Sequence, residues 1–476
     1  MGKKIDDSFF VYNSIAIAGV STEYNTGKAY LDLLLESGFQ GKIYPLNPKG
    51  GEISGLTVYP SIGDVPGPVD YVISCIPKGM AIPLIRDCAA KGVKVIAFFT
   101  AGFSESGREE DGQLESEMRR AAQDYGLRVL GPNCMGLYIP KLGMSIASDL
   151  PKESGNVAFV SQSGGNTVYL IRRAAQRGVR FSKAISYGNA ADVGETDLLE
   201  YLKTDNETQV VAAYIEGIKD GTRFCRVLRE ISAVKPVIVL KAGNTLEGAI
   251  AAASHTGSLA GSPEVWEGLL HQAGAVQVGD LDELIDMMVA CSFMAVPRGR
   301  RVAVVGGGGG FAVLAADKYV GSGFAMPPLG QQAQEELEQE VRNYVATDAG
   351  TILKNPYDVG NLGLGEGVYT VLRKLAISDS FDLLAGQVSI SNAGWPSADA
   401  PASTWPDVFI DAVTRVRAET NIPVAAIIDG ILLPTDQQRS LDLERRCYEA
   451  GVPVFGSAAS AAKSIARLLD HHGGRI

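Results

Sequence analysis

The sequence predicts an α/β protein of three tandem, doubly wound domains. Short apolar runs alternate with helical patterns along 476 residues, a length that suits about three domains at roughly 150 residues each. Openings of the form strand, small-residue turn, helix recur at Gly19, Ser163 and Gly306. The composition agrees: 46% hydrophobic, 20% charged and 55 glycines fit a protein whose βα turns consume glycine and whose buried parallel strands consume Val, Ile and Ala. The expected domains are residues 1–145, 146–296 and 297–476.

In chain order, the expected strands of the first domain are Ser14–Ala18, Lys42–Tyr44, Tyr71–Ser74, Val93–Ala97 and Leu127–Leu130, each followed by turn residues and polar or helical sequence. The pattern restarts near Pro151 with Val157–Val160, Phe181–Ile185, Val210–Ile215 and Val237–Lys241, and closes with an acidic helix from about Asp280 to Met294. Pro297-Arg-Gly-Arg-Arg301 reads as a short basic linker. Arg301–Val305 then runs into five consecutive glycines, Asp382–Ala385 and Ile422–Ile428 supply later strands, and Gln331–Tyr344 reads as a solvated helix.

A formal net charge of −11 argues against broad polyanion binding, so nucleic acid is not the expected partner. The six dispersed cysteines include no C-x-x-C pair and suit separate reduced thiols in a cytoplasmic setting. No apolar run approaches the ~20 residues needed to cross a bilayer, and no targeting segment is evident.

The chemistry is expected at the carboxyl ends of the strands, where open α/β sheets bind ligands. The first strand delivers Gly19-Val-Ser-Thr-Glu-Tyr-Asn-Thr-Gly27 to the start of a helix, where free amides and the positive dipole end favour phosphate. The spacing is neither G-x-G-x-x-G nor a P-loop. The second strand ends in Asn47-Pro-Lys49, where NAD sites place an acid, and Lys49 favours a ligand with an extra phosphate. Coenzyme A fits that better than NAD, NADP stays open, and so does a plain Asn-Pro turn with Lys49 in solvent. Candidate cofactor residues are Gly19, Ser21, Thr22, Gly27, Lys28, Asn47, Pro48, Lys49, Ile76, Pro77, Thr100, Ala101, Gly102 and Asn133. Cys134, without a histidine beside it, reads as an inert thiol.

In the second domain Ser161, Gln162, Ser163, Gly164 and Gly165 follow a strand and open a helix, which makes them a second candidate phosphate nest. Glu216 ends another strand and is either a surface acid or the orienter of an imidazole. His255 lies among small and hydroxyl residues in Ala253-Ser-His-Thr-Gly-Ser-Leu-Ala-Gly261, a setting that suits a phosphate carrier, although an ordinary loop histidine bonded to a carbonyl has the same neighbours. His271 reads as structural, and the His471-His472 pair as solvated rather than metal-binding.

Taken together, Asn47-Pro-Lys49, Gly131-Pro-Asn-Cys134, Ser161-Gln-Ser-Gly164, Gly188-Asn189 with Asp192, Ile215-Glu-Gly217 and Ser254-His-Thr-Gly-Ser-Leu-Ala-Gly261 resemble the NDP-forming acyl-CoA synthetases. The likeness is strongest to the α subunits of ADP-forming acetyl-CoA synthetases, relatives of succinyl-CoA synthetase. It implies a Rossmann-like CoA-binding domain, a flavodoxin-like domain carrying the phosphohistidine loop, and a flavodoxin-like ligase-CoA domain. It also implies a reversible acid–thiol ligation in which acyl-CoA and phosphate give acyl phosphate and CoA, and the phosphoryl group passes to His255 and then to ADP. By this resemblance Glu216 orients His255 and Ser161–Gly165 hold the phosphate. A separate ATP-grasp β subunit would carry ADP or ATP with Mg²⁺, the α chain would be homodimerised within a hetero-oligomer, and this chain would hold no metal. A CoA-binding protein without catalysis is the alternative. The chain departs from the family at Gly306-Gly-Gly-Gly-Gly-Phe311, at Asn355-Pro-Tyr-Asp358, at Gly165-Asn166 and at Met135.

Overall fold

The computed structural model describes residues 4–256, 261–344, 351–360, 362, 366–391 and 405–473, leaving aside the side chains of residues 252–256. The chain forms two compact units, one of residues 1–175 with 179–284, the other of residues 176–178 with 285–476.

The first unit holds two sheets. In the first, β1 (Ser14–Ala18), α1 (Thr26–Ser37), β2 (Lys42–Leu46), the hairpin β3 (Gly51–Ile53) and β4 (Leu56–Val58), β5 (Tyr71–Ser74), α2 (Ala81–Lys91), β6 (Val95–Phe98), α3 (Glu109–Tyr125) and β7 (Arg128–Leu130) follow in order. The parallel sheet runs β2-β1-β5-β6-β7. Alternate residues supply two cores: Ile15, Ile17 and Ile73 on one face, Ala16, Ala18 and Val72 on the other. Burial on both faces explains why these strands read as unbroken apolar runs. β2 extends through Pro45, which an edge strand tolerates because it needs no N–H there.

The second sheet begins as the chain leaves β7 and enters β8 (Gly136–Tyr138), then β9 (Val157–Ser161), α4 (Gly164–Gln176), β10 (Phe181–Ser186), α5 (Glu195–Leu202), β11 (Val210–Ile215), α6 (Gly221–Ser232), β12 (Val237–Lys241), α7 (Leu246–Thr256), α8 (Pro263–Ala273) and β13 (Val276–Val278), with α9 (Leu281–Phe293) beyond. Its order is β13-β12-β11-β9-β10-β8, parallel except for the antiparallel edge β8. One core cluster runs from Ile15 and Tyr71 through Val160 and Ile185 to Val211 and Val239, so the two sheets share buried surface.

The second unit places β14 (Val302–Gly306), α10 (Gly309–Gly321), α11 (Gln331–Val341), β15 (Tyr357–Asp358), α12 (Glu366–Ile377), β16 (Leu383–Ser389), α13 (Trp405–Glu419), β17 (Val424–Asp429), α14 (Pro434–Glu449), β18 (Val454–Phe455) and α15 (Ala458–Gly473) around a parallel sheet ordered β15-β14-β16-β17-β18. Counted within each sheet, the parallel strands take the order 2-1-3-4-5 three times. Each sheet therefore has a topological switch point beside its first strand, and each switch point receives one of the three openings at Gly19, Ser163 and Gly306. His471 corrects the sequence reading, since it is buried on α15 rather than solvated. Among the described residues no helix is long and apolar enough to cross a membrane.

The close approach of α1 to the first turn depends on Gly27, where an added Cβ would lie 2.5 Å from the Gly19 carbonyl oxygen and 2.9 Å from the Val20 nitrogen. Gly27→Ala is expected to force the helix and turn apart and to cost about 1–3 kcal/mol. Denaturant unfolding checks this; a wild-type midpoint would show that the turn yields freely.

Candidate active site

At the first switch point, Gly19 adopts φ +96°, and its N–H and that of Val20 both donate to the Leu46 carbonyl, at 3.0 and 3.2 Å. A side chain at 19 would meet the Cys75 carbonyl at 3.0 Å, so only glycine lets the β1 turn pass the end of β5. Asn25 caps α1, accepting from the Lys28 N–H at 2.9 Å and donating to the Gly19 carbonyl at 2.9 Å. Ser21 accepts from the Glu23 N–H, and Thr22 is exposed. Asn47 donates to the Val20 carbonyl at 2.6 Å and accepts from the Lys49 N–H at 3.0 Å, so it ties the second turn to the first. Pro48 and Lys49 are exposed beside it, while the Lys28 ammonium is already engaged by Asp32.

The other candidate cofactor residues meet at the same edge. Thr100 donates to the Ile76 carbonyl at 2.6 Å, next to the exposed Pro77, and Asn133 donates its N–H to the Thr100 carbonyl at 3.0 Å. Glu105 accepts from the Gly102 and Phe103 amides, folding the Thr100–Ser106 loop, in which Ala101 is exposed. Lys78 reaches from the β5 loop to the Gly102 carbonyl at 2.8 Å and pairs with Asp111. Hydrogen bonds from Lys78, then Ser106 and Arg108, hold the Asp111 carboxyl down to about 2. Cys134 is buried against the Phe98 carbonyl, and burial pushes its thiol up to about 12, so it stays protonated near neutrality.

Sequence reasoning left Asn189 and Asp192 without a role. Asn189, 2% exposed, donates to Glu115 at 2.9 Å and to Glu105 at 2.5 Å, fastening the β10 loop of the second sheet to the Thr100–Ser106 loop of the first. Asp192 accepts from Arg128 at 2.7 Å and from the Val129 N–H at 2.9 Å, pinning the same segment along β7.

The second switch point lies between β9 and β11. Ser161 is fully buried, and its hydroxyl bridges the Ser163 carbonyl and N–H at 2.8 and 3.2 Å. Ser163 accepts from the Asn166 N–H at 3.3 Å and so caps α4. Gly164 and Gly165 occupy the first turn, where amides have no acceptor within the helix, and the Gly165 Cα faces open space. Gln162 joins this turn to β11: its side-chain oxygen accepts from the N–H groups of Glu216 at 2.9 Å and Gly217 at 3.2 Å. Glu216 is buried, 4% exposed, which removes the surface-acid reading. Tyr214 stands near both Glu216 and Asn166; burial first, then the Glu216 charge, raises its pKa. Two departures from the family pattern thereby acquire places. The Asn166 N–H donates to Ser163 in the cap of α4, and Met135 fills the hollow beside Gly164, where a Cβ would meet its Cγ at 2.7 Å.

The backbone of His255 lies in the last turn of α7, a helix that leaves the edge of β12 and runs beside Ser104–Ser106 of the first sheet's loop. The His255, Ser254 and Thr256 side chains and residues 257–260 lie outside the described residues. Next to the edge, a cavity of about 550 Å³ is bordered by Tyr169, Tyr214, Lys241, Asn244 and Asp280. In the other unit, Gly308 at φ +104° donates its N–H to Asp358 at 3.1 Å, and a Cβ on Gly306 would lie 2.8 Å from the Gln387 carbonyl, so the glycine run is needed for close packing and turning.

Two strand-end edges of this kind, with helix-start amides and buried acids beside them, make an α/β protein whose geometry suits phosphorylated ligands. The comparisons agree in detail. Residues 13–140 match the CoA binding domain family and residues 154–291 the succinyl-CoA ligase like flavodoxin domain family. The chain is 38% identical to the acetate–CoA ligase (ADP-forming) I subunit alpha of Pyrococcus furiosus, over 97% of this chain and 96% of that protein. It is 37% identical to the II subunit alpha of the same organism, over 79% and 81%. The solved dinucleotide-forming acetyl-coenzyme A synthetase 1 of Ca. Korarchaeum cryptofilum, in complex with phosphate and ADP, superposes with a TM-score of 0.83 at 31% identity, covering 98% of this chain and 97% of that one. The chain belongs to the family of NDP-forming acyl-CoA synthetases.

Gln162→Ala would leave the buried Glu216 and Gly217 amides without their acceptor, costing about 2–4 kcal/mol, and Gln162→Glu, which keeps an acceptor but buries a second carboxylate beside Glu216, should cost at least as much. Thermal unfolding of the two variants checks the order. For Asp111 the folded pKa is depressed to about 2 from 3.8, so its contribution to stability is present above the ordinary carboxylate range and lost as pH falls through the folded value. Asp111→Asn should therefore flatten the acid limb of the stability profile between those two pH values; an unchanged limb would show that Lys78 adds nothing.

Proposed function

We propose that this chain is the α subunit of a reversible NDP-forming acyl-CoA synthetase, interconverting acyl-CoA, phosphate and ADP with a carboxylic acid, CoA and ATP. The observation that carries the reading is the Gln162 bridge, which fixes an anion-binding helix start and a buried carboxylate at one switch point. In the first step an oxygen of phosphate attacks the thioester carbonyl, the C–S bond breaks, and CoA leaves as its thiol(ate). In the second, the P–O bond of the acyl phosphate breaks as the phosphoryl group moves to a ring nitrogen of His255, releasing the carboxylate. Transfer from His255 to ADP completes the sequence.

Each role follows from local chemistry. The Gly19, Asn47 and Thr100 turns would receive CoA at the first edge, with exposed Lys49 available to an additional phosphate. The Gly164 and Gly165 amides would meet the transferring phosphoryl oxygens, which are negatively charged throughout and therefore favour fixed N–H donors. Glu216 would accept the ring N–H of His255, leaving the opposite nitrogen nucleophilic. The course of α7 beside Ser104–Ser106 supports a relay in which the histidine loop works close to the CoA edge. The relatives named as alpha subunits support a partner chain, which we take to be an ATP-grasp β subunit carrying ADP or ATP with Mg²⁺; the α chain would be paired with itself within that hetero-oligomer.

The test supplies the full chain and its nucleotide-binding partner with acetyl-CoA and ³²P-labelled phosphate. Acid-labile label on the wild-type chain, absent from His255→Ala, is the expected result. Tight acetyl-CoA binding with no label would instead establish a CoA-binding protein without catalysis.

A further inference from the structure

Lys241 is an unexpected residue where it stands. It ends the apolar strand β12, is 1% exposed, and pairs in register with Ile215, one step before Glu216. Ser161 pairs in the same way with Tyr214 on the opposite side of β11. Phosphate turn, carboxylate and ammonium thus come from three neighbouring strands at one sheet edge.

A buried ammonium needs partners. The Lys241 Nζ donates to the Ala242 carbonyl and lies 5.3 Å from the ring centroid of Trp266 on α8, a cation–π contact that holds charge without neutralising it. Asn244 donates to the Lys241 carbonyl at 2.8 Å and steadies the backbone. Burial draws the pKa of this ammonium down, and the Glu216 charge acts against that. The other deeply buried lysine of this unit, Lys183, is closed by a contact ion pair with Asp205 and is electrostatically complete. Lys241 instead gives its hydrogen bond to a carbonyl, and among the described residues no contact ion pair cancels its charge.

We propose that Lys241 is a positioning residue of the phosphoryl-transfer site, its buried ammonium pairing through space with Glu216 and offsetting the negative charge that phosphate brings to the Ser161–Gly165 turn. The proposal rests on the synthetase reading above. Without a cation there, a carboxylate and a phosphate at one poorly solvated edge would repel each other, because fields in such surroundings are weakly screened.

The experiment compares the full chain with Lys241→Gln, which removes the charge but keeps an N–H donor, and Lys241→Arg, which keeps the charge. Each is assayed with its partner chain, using acetyl-CoA and ³²P-labelled phosphate as probes. Lys241→Gln should raise the KM for phosphate about tenfold with an unchanged KM for acetyl-CoA, and Lys241→Arg should restore it to within about threefold. A glutamine variant with wild-type phosphate KM, or a folded arginine variant as impaired as the glutamine one, overturns the assignment. Should the glutamine variant fail to fold by circular dichroism, the arginine variant decides alone: a phosphate KM within about threefold of wild type supports the assignment, and a larger rise overturns it. A wild-type chain that takes no label overturns the synthetase reading and this proposal with it, whereas a labelled wild type beside an unaffected Lys241→Gln overturns the Lys241 assignment alone.

Discussion

The amide side chain of Gln162 is the contact on which the second switch point depends. A helix start that is to hold an anion must leave first-turn amides open, and a buried carboxylate must be held without filling that opening. Gln162 satisfies both demands from within the β9 turn, taking the Glu216 and Gly217 amides so that the end of β11 is closed, while Gly165 stays open and Gly164 is backed by Met135.

Around this contact the first unit is organised as two edges joined by polar clamps. Asn189 draws Glu105 and Glu115 together, Asp192 fastens the same segment to β7, and Lys78 secures the Gly102 turn against Asp111. Each clamp is a buried or half-buried side chain satisfied by several partners, the condition under which polar groups rigidify a structure. Loops that would otherwise move independently are thereby held as one surface, which the proposed relay requires.

Much of this was legible in the sequence. The long apolar strands and glycine turns exposed the α/β class and the turns at the switch points, because burial on both faces of a parallel sheet leaves a strong hydrophobic signal. The short strands β3, β4, β8, β13, β15 and β18 escaped notice: runs such as Gly51-Glu-Ile or Val276-Gln-Val carry too few apolar residues to mark a period. Glu216 and Gln162 were legible from their positions after strands, but the depth of Glu216 was not, since burial there comes from residues distant in sequence. Lys241 was hidden for a related reason, a charged terminus to an apolar strand being the ordinary sign of a strand reaching solvent. Asn189 and Asp192 carried a family signature without a visible task, and only the approach of the β10 loop to α3 and β7 supplied one.

The hollow beside Gly164 occupied by Met135 has an evolutionary corollary. Because the thioether takes the space a methyl group at position 164 would need, the two sites are constrained as a pair: lineages that enlarge one are expected to trim the other. Divergence within this family should then leave a correlated exchange between the closing turn of the first sheet and the opening helix of the second, a historical trace of two packed surfaces that had to change shape together.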